Sequence, residues 1–297
     1  MTVFQEWQNK IKTQTGFVAA LDQSGGSTPK ALKLYGVNEN EYTNETEMYD
    51  LMHQMRSRIV TSPSFNGDRI LGAILFEQTV DRQIEGIPSA RYLWEKKKVV
   101  PFLKIDKGLV EEVNGAQCMK PITNLDELLE KARSSAIFGT KMRSVIKLAN
   151  QTGIKEVVDQ QFEIAHKIIA AGLMPIIEPE VDINSPEKSK VESILQDEIL
   201  KHLNSLKSDQ SVMLKLTIPD QANFYRPCIE HGNCLKVLAL SGGYARDDAN
   251  KRLAQNNGMV ASFSRAFTEG LLVNQSDEEF NKILDNSIQS IYEASSK

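Results

Sequence analysis

Apolar residues along the chain gather into eight short runs: FVAALD (17–22), ILGAILFE (70–77), VVPFLKI (99–105), RSVIKLA (143–149), LMPIIEPE (173–180), VMLKLT (212–217), LKVLALSGG (235–243) and MVASFS (259–264). Their length and Val/Ile/Leu content are those of strands. Between most of them lie longer segments with apolar residues at helical spacing, such as NLDELLEKARSSAIF, EVVDQQFEIAHKIIAAG and EKSKVESILQDEILKHL. Strand then helix, repeated, predicts parallel strands covered by helices, and eight such units predict a closed (β/α)8 TIM barrel of the α/β class. An open doubly wound sheet would carry a G-x-G-x-x-G turn after its first strand; DQSGGS (22–27) does not fit it. No Pro-, Gly- or Ser-rich linker or low-complexity tract divides residues 1–297, so we expect one domain with 275–293 as a closing helix.

Composition narrows the function classes. With 41% hydrophobic and 25% charged residues the chain can bury a sizeable core. A formal charge of -4 provides no basic field for a phosphate polymer, so no nucleic-acid partner is expected. No apolar run approaches the roughly 20 residues that span a bilayer, so no membrane partner is expected either. Cys118, Cys228 and Cys234 cannot form a disulfide framework, and MTVFQEWQNKIK lacks an apolar signal core. Both point to a reduced, cytoplasmic protein.

One strand carries an expensive residue. In SVMLKLTIP (211–219), alternation sends Val212, Leu214, Leu216 and Ile218 to one face and Met213, Lys215 and Thr217 to the other. A buried ammonium costs several kcal/mol, roughly, unless it is paired or loses its proton. Taken alone, Lys215 reads as a lysine that snorkels to the strand end or meets a carboxylate.

Barrel active sites gather at the carboxyl ends of the strands, and those ends are rich in ionisable groups here. Asp22 ends the first run, Lys104 and Lys107 the third, Glu178 and Glu180 the fifth, and Lys215 the sixth; Ser241, Gly242 and Gly243 end the seventh, and Ser262 and Arg265 follow the eighth strand. Lys141 and Arg143 sit at the start of the fourth run, which suits a site only if that strand begins earlier, near Ala136, or the barrel interior admits them. Parity places Glu178 and Glu180 on one face with Ile176, and Lys141 and Arg143 on one face with Val145. So many charges at one end of several strands shift the reading of Lys215 toward catalysis.

A lysine near other cations in a dry wall loses its proton more easily and becomes a nucleophilic amine. Its natural product with a carbonyl compound is a Schiff base, an electron sink that permits carbon–carbon cleavage without a metal, given a carboxylate to shuttle protons. The SGG turn offers backbone N–H groups to an oxyanion, and Arg265 a guanidinium that binds phosphate oxygens bidentately, so a phosphorylated substrate is expected. Only His53, His166, His202 and His231 are present, and none has paired metal-ligand spacing; CIEHGNC (228–234) lacks the C-x-x-C spacing and second half of a zinc site. No metal or other cofactor is expected.

The segments FVAALDQSGGS, ILGAILFEQT, FLKIDKG, KMRSVIKL, GLMPIIEPE, MLKLTIP, LALSGG and ASFSRAF resemble, in order, those of the class I, Schiff-base-forming fructose-1,6-bisphosphate aldolase family, from about residue 15 to 270. The resemblance implies a (β/α)8 barrel and reversible cleavage of fructose 1,6-bisphosphate, with phosphorylated ketose and triose substrates. It makes Lys215 the Schiff-base lysine and Glu178 the acid/base of carbinolamine formation and dehydration. Lys141 becomes the electrostatic partner beside it and Glu180 the second carboxylate of the EPE motif. Asp22 matches the carboxylate that positions the lysine and the substrate hydroxyl, and Arg143 the arginine two residues after the fourth-strand lysine. Ser241, Gly242, Ser262 and Arg265 match residues holding the phosphate at the dihydroxyacetone end, and Ser24, Ser27 and Lys104 those around the other phosphate. Tagatose 1,6-bisphosphate and fructose 1-phosphate are alternative substrates on the same mechanism; a non-catalytic phosphosugar-binding protein is the alternative of another class.

Two departures stand out. The familiar animal enzymes carry Glu where this chain has Gln23 and a basic residue where it has Ala31. They also end in a tail whose tyrosine assists enamine protonation, whereas the sequence here ends EASSK, with Tyr292 the nearest tyrosine.

Overall fold

The computed structural model describes residues 2–297. Eight strands form one parallel sheet in chain order: β1 Phe17–Leu21, β2 Ile70–Leu75, β3 Val100–Lys104, β4 Gly139–Ile146, β5 Met174–Val181, β6 Val212–Thr217, β7 Cys234–Leu240 and β8 Met259–Ala261. The sheet curls until the Ala20 N–H donates to the Phe263 carbonyl at 3.2 Å, bringing β1 back to the end of β8. This is the (β/α)8 barrel expected from the alternating pattern.

Alternation along each strand builds two separate cores. Val212, Leu214 and Leu216 of β6 face outward into the layer shared with the helices. Met213 faces inward, with Val18, Leu71, Phe102, Phe138, Ile176, Leu238 and Val260, and fills the lower barrel. That inner plug is sealed from below by helix α1, Val3–Thr13, whose start is fixed by a Thr2–Gln5 capping box. Trp7 and Ile11 of α1 join the inner core, with the Trp7 ring 6.1 Å from Phe138 and nearly edge-on to it. Charge placed one or two residues further up the same inward rows therefore emerges at the opposite, carboxyl-end mouth.

The fourth strand begins at Gly139, not Arg143, and this resolves the awkward position of Lys141 and Arg143. Glycine is needed where β4 meets β5, because a Cβ at Gly139 would lie 2.0 Å from the Met174 carbonyl oxygen. Outer helices follow most strands: α2 Thr28–Tyr35, α3 Glu45–Thr61, α4 Ser89–Glu95, α5 Leu125–Ser134, α6 Gln151–Ala170, α7 Lys188–Ser205, α8 Arg246–Leu253 and the closing helix α9 Asp277–Ala294. The segment after β3 makes an excursion whose residues Ala116–Gln117 pair antiparallel with β4.

Candidate active site

The carboxyl ends of the strands surround a cavity of about 430 Å³. Its floor is an unbroken chain of ion pairs. Lys215 Nζ of β6 lies 3.0 Å from Glu178 Oε1 of β5. The other Glu178 oxygen lies 2.7 Å from Lys141 Nζ of β4, which is also 2.6 Å from Asp22 Oδ2 at the end of β1. All four residues are buried, Lys141 and Lys215 being 3% and 4% exposed, so these charges meet with little water to screen them.

The backbone behind this chain is held firmly. Buried Gln161 of α6 accepts the Glu178 N–H at 2.8 Å. The β5–β6 ladder pairs only Ile176 with Met213 and Ile177 with Leu214, after which the strands part. Thr217 rejoins them: its hydroxyl accepts from the Val181 N–H at 2.9 Å and donates to the Val181 carbonyl at 2.7 Å. Glu178 and Lys215 thus stand between two fixed points.

Electrostatics follow from this packing. Burial would raise the Asp22 carboxyl, but Lys141, then Lys215 and Lys104, hold it well below the usual carboxylate range. Glu178 is likewise lowered against its burial by Lys141 and then Lys215. Burial would strip Lys141 of its proton, yet Asp22 and Glu178 raise its proton affinity well above that of an ordinary lysine. Lys141 is therefore a permanent cation, and both carboxylates beside it are ionised at neutral pH.

Above this floor, Arg143 pairs with Glu180 at 2.5 Å, and Lys104 with Asp106 at 2.6 Å. Burial lowers Lys104, outweighing Asp106. Ser24 and Ser27 line the same cavity from the short turn after β1, the Ser27 hydroxyl donating to the Ser24 carbonyl at 2.9 Å. Opposite them stand Ser241 and Gly242 after β7 and Ser262 after β8; the Ser262 hydroxyl is buried with no hydrogen-bond partner among the described residues. Gly242 has φ +60, and a Cβ there would meet Ile183 Cγ2 at 2.6 Å, so the turn needs glycine. Gly243 and Arg265 line an adjoining hollow, where the Arg265 guanidinium donates to the Gly243 carbonyl.

All the residues singled out from sequence as site candidates thus converge on these two adjoining spaces, while Lys107 lies outside, exposed and paired with Glu77 at 3.2 Å. Asp106 and Ser264 also line the cavity and were missed, as does Gln23, marked from sequence only as a departure from the family pattern. Asp106 was legible as the residue two after Lys104, on the same face of the run. Lys30, on the first turn of α2, borders the hollow and was missed because it belongs to a helix, not to a strand end. Tyr292 borders a hollow with Lys10, Gln14, Gly67 and Asp68 at the amino-terminal end of the barrel, the far end from Lys215. His231 is engaged on both ring nitrogens, by Asn204 and by the Asn233 N–H.

A parallel barrel whose mouth holds three buried lysines among carboxylates is the class of protein that fold and site define. The model of the family described as fructose-bisphosphate aldolase class-I matches residues 4–224. The chain is 60% identical over 291 residues to the fructose-bisphosphate aldolase class 1 of Synechocystis sp., covering 98% of this chain and 97% of that one. The structure of fructose-bisphosphate aldolase from Plasmodium falciparum superposes with a TM-score of 0.77 at 19% identity, covering 98% and 93% of the two chains. That of Cgl0159 from Corynebacterium glutamicum gives a TM-score of 0.57 at 12% identity over 98% and 92%; these two likenesses show the fold. The chain belongs to the class-I fructose-bisphosphate aldolase family and is a lyase of the kind that works through a lysine Schiff base without a metal.

Among the described residues no helix is long and apolar enough to cross a membrane, and no three His, Cys, Asp or Glu side chains are grouped to hold a metal ion.

Proposed function

We propose that this chain reversibly cleaves fructose 1,6-bisphosphate to dihydroxyacetone phosphate and glyceraldehyde 3-phosphate through a Schiff base on Lys215. The observation that carries the assignment is the 3.0 Å contact between Lys215 Nζ and Glu178 Oε1 in a chain continuing through Lys141 to Asp22. Family membership supplies the Schiff base, and this contact supports Lys215, tied to one carboxylate, over Lys141, tied to two.

The steps follow from the charges. Proton transfer from Lys215 to Glu178 frees the nitrogen lone pair, which attacks the substrate carbonyl carbon. As Lys215 loses its charge, one of the three cations holding Glu178 low disappears and Glu178 becomes a better base. The attacking nitrogen passes one of its two remaining protons to the former carbonyl oxygen, and the resulting carbinolamine hydroxyl takes the proton held by Glu178 and leaves as water, giving the iminium. Asp22, kept ionised by its lysines, accepts the proton of the C4 hydroxyl. The C3–C4 bond then breaks with its electron pair flowing toward the iminium nitrogen, releasing the aldehyde and leaving an enamine. Lys141 stays protonated throughout and stabilises the negative charge on both carboxylates.

Phosphate recognition falls to two walls. Ser241, Gly242, Gly243, Ser262 and Arg265 are assigned the phosphate of the dihydroxyacetone end, and Ser24, Ser27, Lys104 and Arg143 the other. The buried unpartnered Ser262 hydroxyl supports the first assignment. We place the enzyme in the cytoplasm, in keeping with three unpaired cysteines.

A second reading keeps the Schiff base and changes the sugar. Lys104 and Arg143 are already paired with Asp106 and Glu180, which weakens the pull on a distal phosphate and favours fructose 1-phosphate as a competing substrate. Steady-state kinetics on Lys215→Met and wild type with both sugars test the proposal. We expect at least a 10³-fold loss of kcat in the variant, on the scale of losing a covalent nucleophile, and a higher kcat/KM for the bisphosphate in the wild type. Activity of Lys215→Met within about tenfold of wild type would refute the mechanism.

A further inference from the structure

Helix α3 carries Met48, Met52, Met55 and Ile59 on its buried face, and among them lies Arg56, only 1% exposed. A buried charge ordinarily requires a counter-charge, since isolating it costs several kcal/mol, roughly. Among the described residues no carboxylate lies within 4.0 Å of this guanidinium. Its donors meet only neutral oxygens: Nη1 donates to Thr79 Oγ1 at 2.7 Å, and Nη2 to the Gln23 carbonyl at 2.6 Å and to Gln23 Oε1 at 3.2 Å. Its Nε is buried without a partner among the described residues.

The neutral partner faces the ligand space. Gln23 follows Asp22 in the chain, donates through Nε2 to Ser264 Oγ at 2.8 Å, and borders both the cavity and the hollow of Arg265. The cations on the opposite side, Lys104 and Arg143, are each paired with a carboxylate of this chain. Positive charge left unneutralised is thus concentrated behind the β1–β8 wall. Burial lowers the proton affinity of Arg56 to about 10, against the pull of Asp22, so it is a cation at neutral pH.

We propose that Arg56 is a positioning residue for anion binding: its unpaired guanidinium, screened from the ligand by Gln23, supplies positive potential to the β1–β8 wall where a substrate phosphate settles. The assignment deepens the phosphorylated-substrate reading and rests on it. The phosphate provides the counter-charge that the protein withholds, so the charge of Arg56 favours binding without touching the ligand.

Arg56→Gln and Arg56→Lys, measured together, test this. The first keeps a polar side chain and removes the charge; the second keeps the charge and loses the fork of donors. Equilibrium titration with inorganic phosphate and KM and kcat for fructose 1,6-bisphosphate are the readouts. Arg56→Gln is expected to weaken phosphate binding and raise KM about tenfold, equivalent to about 1.4 kcal/mol, with a smaller change in kcat. Arg56→Lys is expected to hold both within about threefold of wild type. Wild-type phosphate affinity in Arg56→Gln overturns the inference, and so does an equal loss in both variants, which would make Arg56 a hydrogen-bonding strap. Should Arg56→Gln fail to fold, Arg56→Lys decides: retained phosphate affinity supports the inference and a tenfold loss contradicts it. Borohydride trapping of dihydroxyacetone phosphate on the wild type keeps the two readings apart. No adduct refutes the Schiff-base assignment, whereas a normal adduct with unchanged phosphate affinity in Arg56→Gln refutes only the role of Arg56.

Discussion

Lys141 Nζ lies 2.6 Å from Asp22 Oδ2, an ion pair drawn across the barrel mouth between β4 and β1, with β2 and β3 standing between them in the sheet. Because the same ammonium also meets Glu178, it neutralises two buried carboxylates at once. Lys141→Met leaves Asp22 without its ion-pair partner and Glu178 with Lys215 alone. We expect a loss of about 3–5 kcal/mol of stability at neutral pH, the scale of breaking a buried ion pair, read by denaturant unfolding, together with a large fall in kcat. A variant as stable as wild type would mean that water enters the site freely.

The pH dependence of stability carries a sign. Asp22 and Glu178 have folded proton affinities below their unfolded ones, near pKa 4, so their contribution is present above about pH 5 and lost as pH falls through the folded values. Lys141 is raised, so its contribution is present below its unfolded pKa of about 10.4 and lost as pH rises through the folded value. Wild-type Tm is therefore expected to drop between about pH 5 and pH 3. In Lys141→Met the buried Asp22 has lost its ion-pair partner and prefers to be neutral, and the drop in Tm over the same interval is expected to shrink or reverse.

Glu178 forms its ion pairs with the nucleophile and Lys141, and none with a group assigned to phosphate. Glu178→Gln is expected to slow adduct formation with dihydroxyacetone phosphate by about 10² to 10⁴, the range for losing a general acid/base, while the affinity for inorganic phosphate moves by no more than a few-fold. Single-turnover trapping rates check the first part and equilibrium titration the second. An unchanged trapping rate would transfer the proton-shuttling role to another carboxylate.

The SGG turn offers a backbone test. Gly242→Ala places a Cβ against Ile183 in a left-handed conformation, which costs about 1–2 kcal/mol before the clash is counted. The KM for phosphorylated sugars is expected to rise about tenfold while Lys215 remains reactive toward unphosphorylated dihydroxyacetone. Equal losses for both compounds would place the turn outside phosphate recognition.

How much of this was legible before folding depended on where the polar residues fell. The strands with continuous apolar runs stand almost where the pattern put them, β6 at Val212–Thr217 among them, because burial on both faces leaves a plain signal. The fourth strand was misplaced because it opens with Gly139, Thr140 and Lys141 in place of an apolar run, and charge inside a strand reads as its boundary. Asp22, Glu178 and Lys215 were visible as ionisable groups in inward rows. Arg56 was less visible: its partners Gln23 and Thr79 are far away in sequence, and the only sign was a charge on the apolar face of α3. The sealing of the barrel floor by Trp7 and Ile11 was likewise invisible, since an amphipathic helix does not announce which surface it covers.

The central claim is that Lys215 forms the covalent bond. Mass spectrometry of the protein reduced with borohydride in the presence of dihydroxyacetone phosphate and a chelator tests it directly. We predict one adduct per chain, mapped to the peptide containing Lys215 and absent from Lys215→Met. An adduct on Lys141 or Lys104, or none at all, would contradict the account.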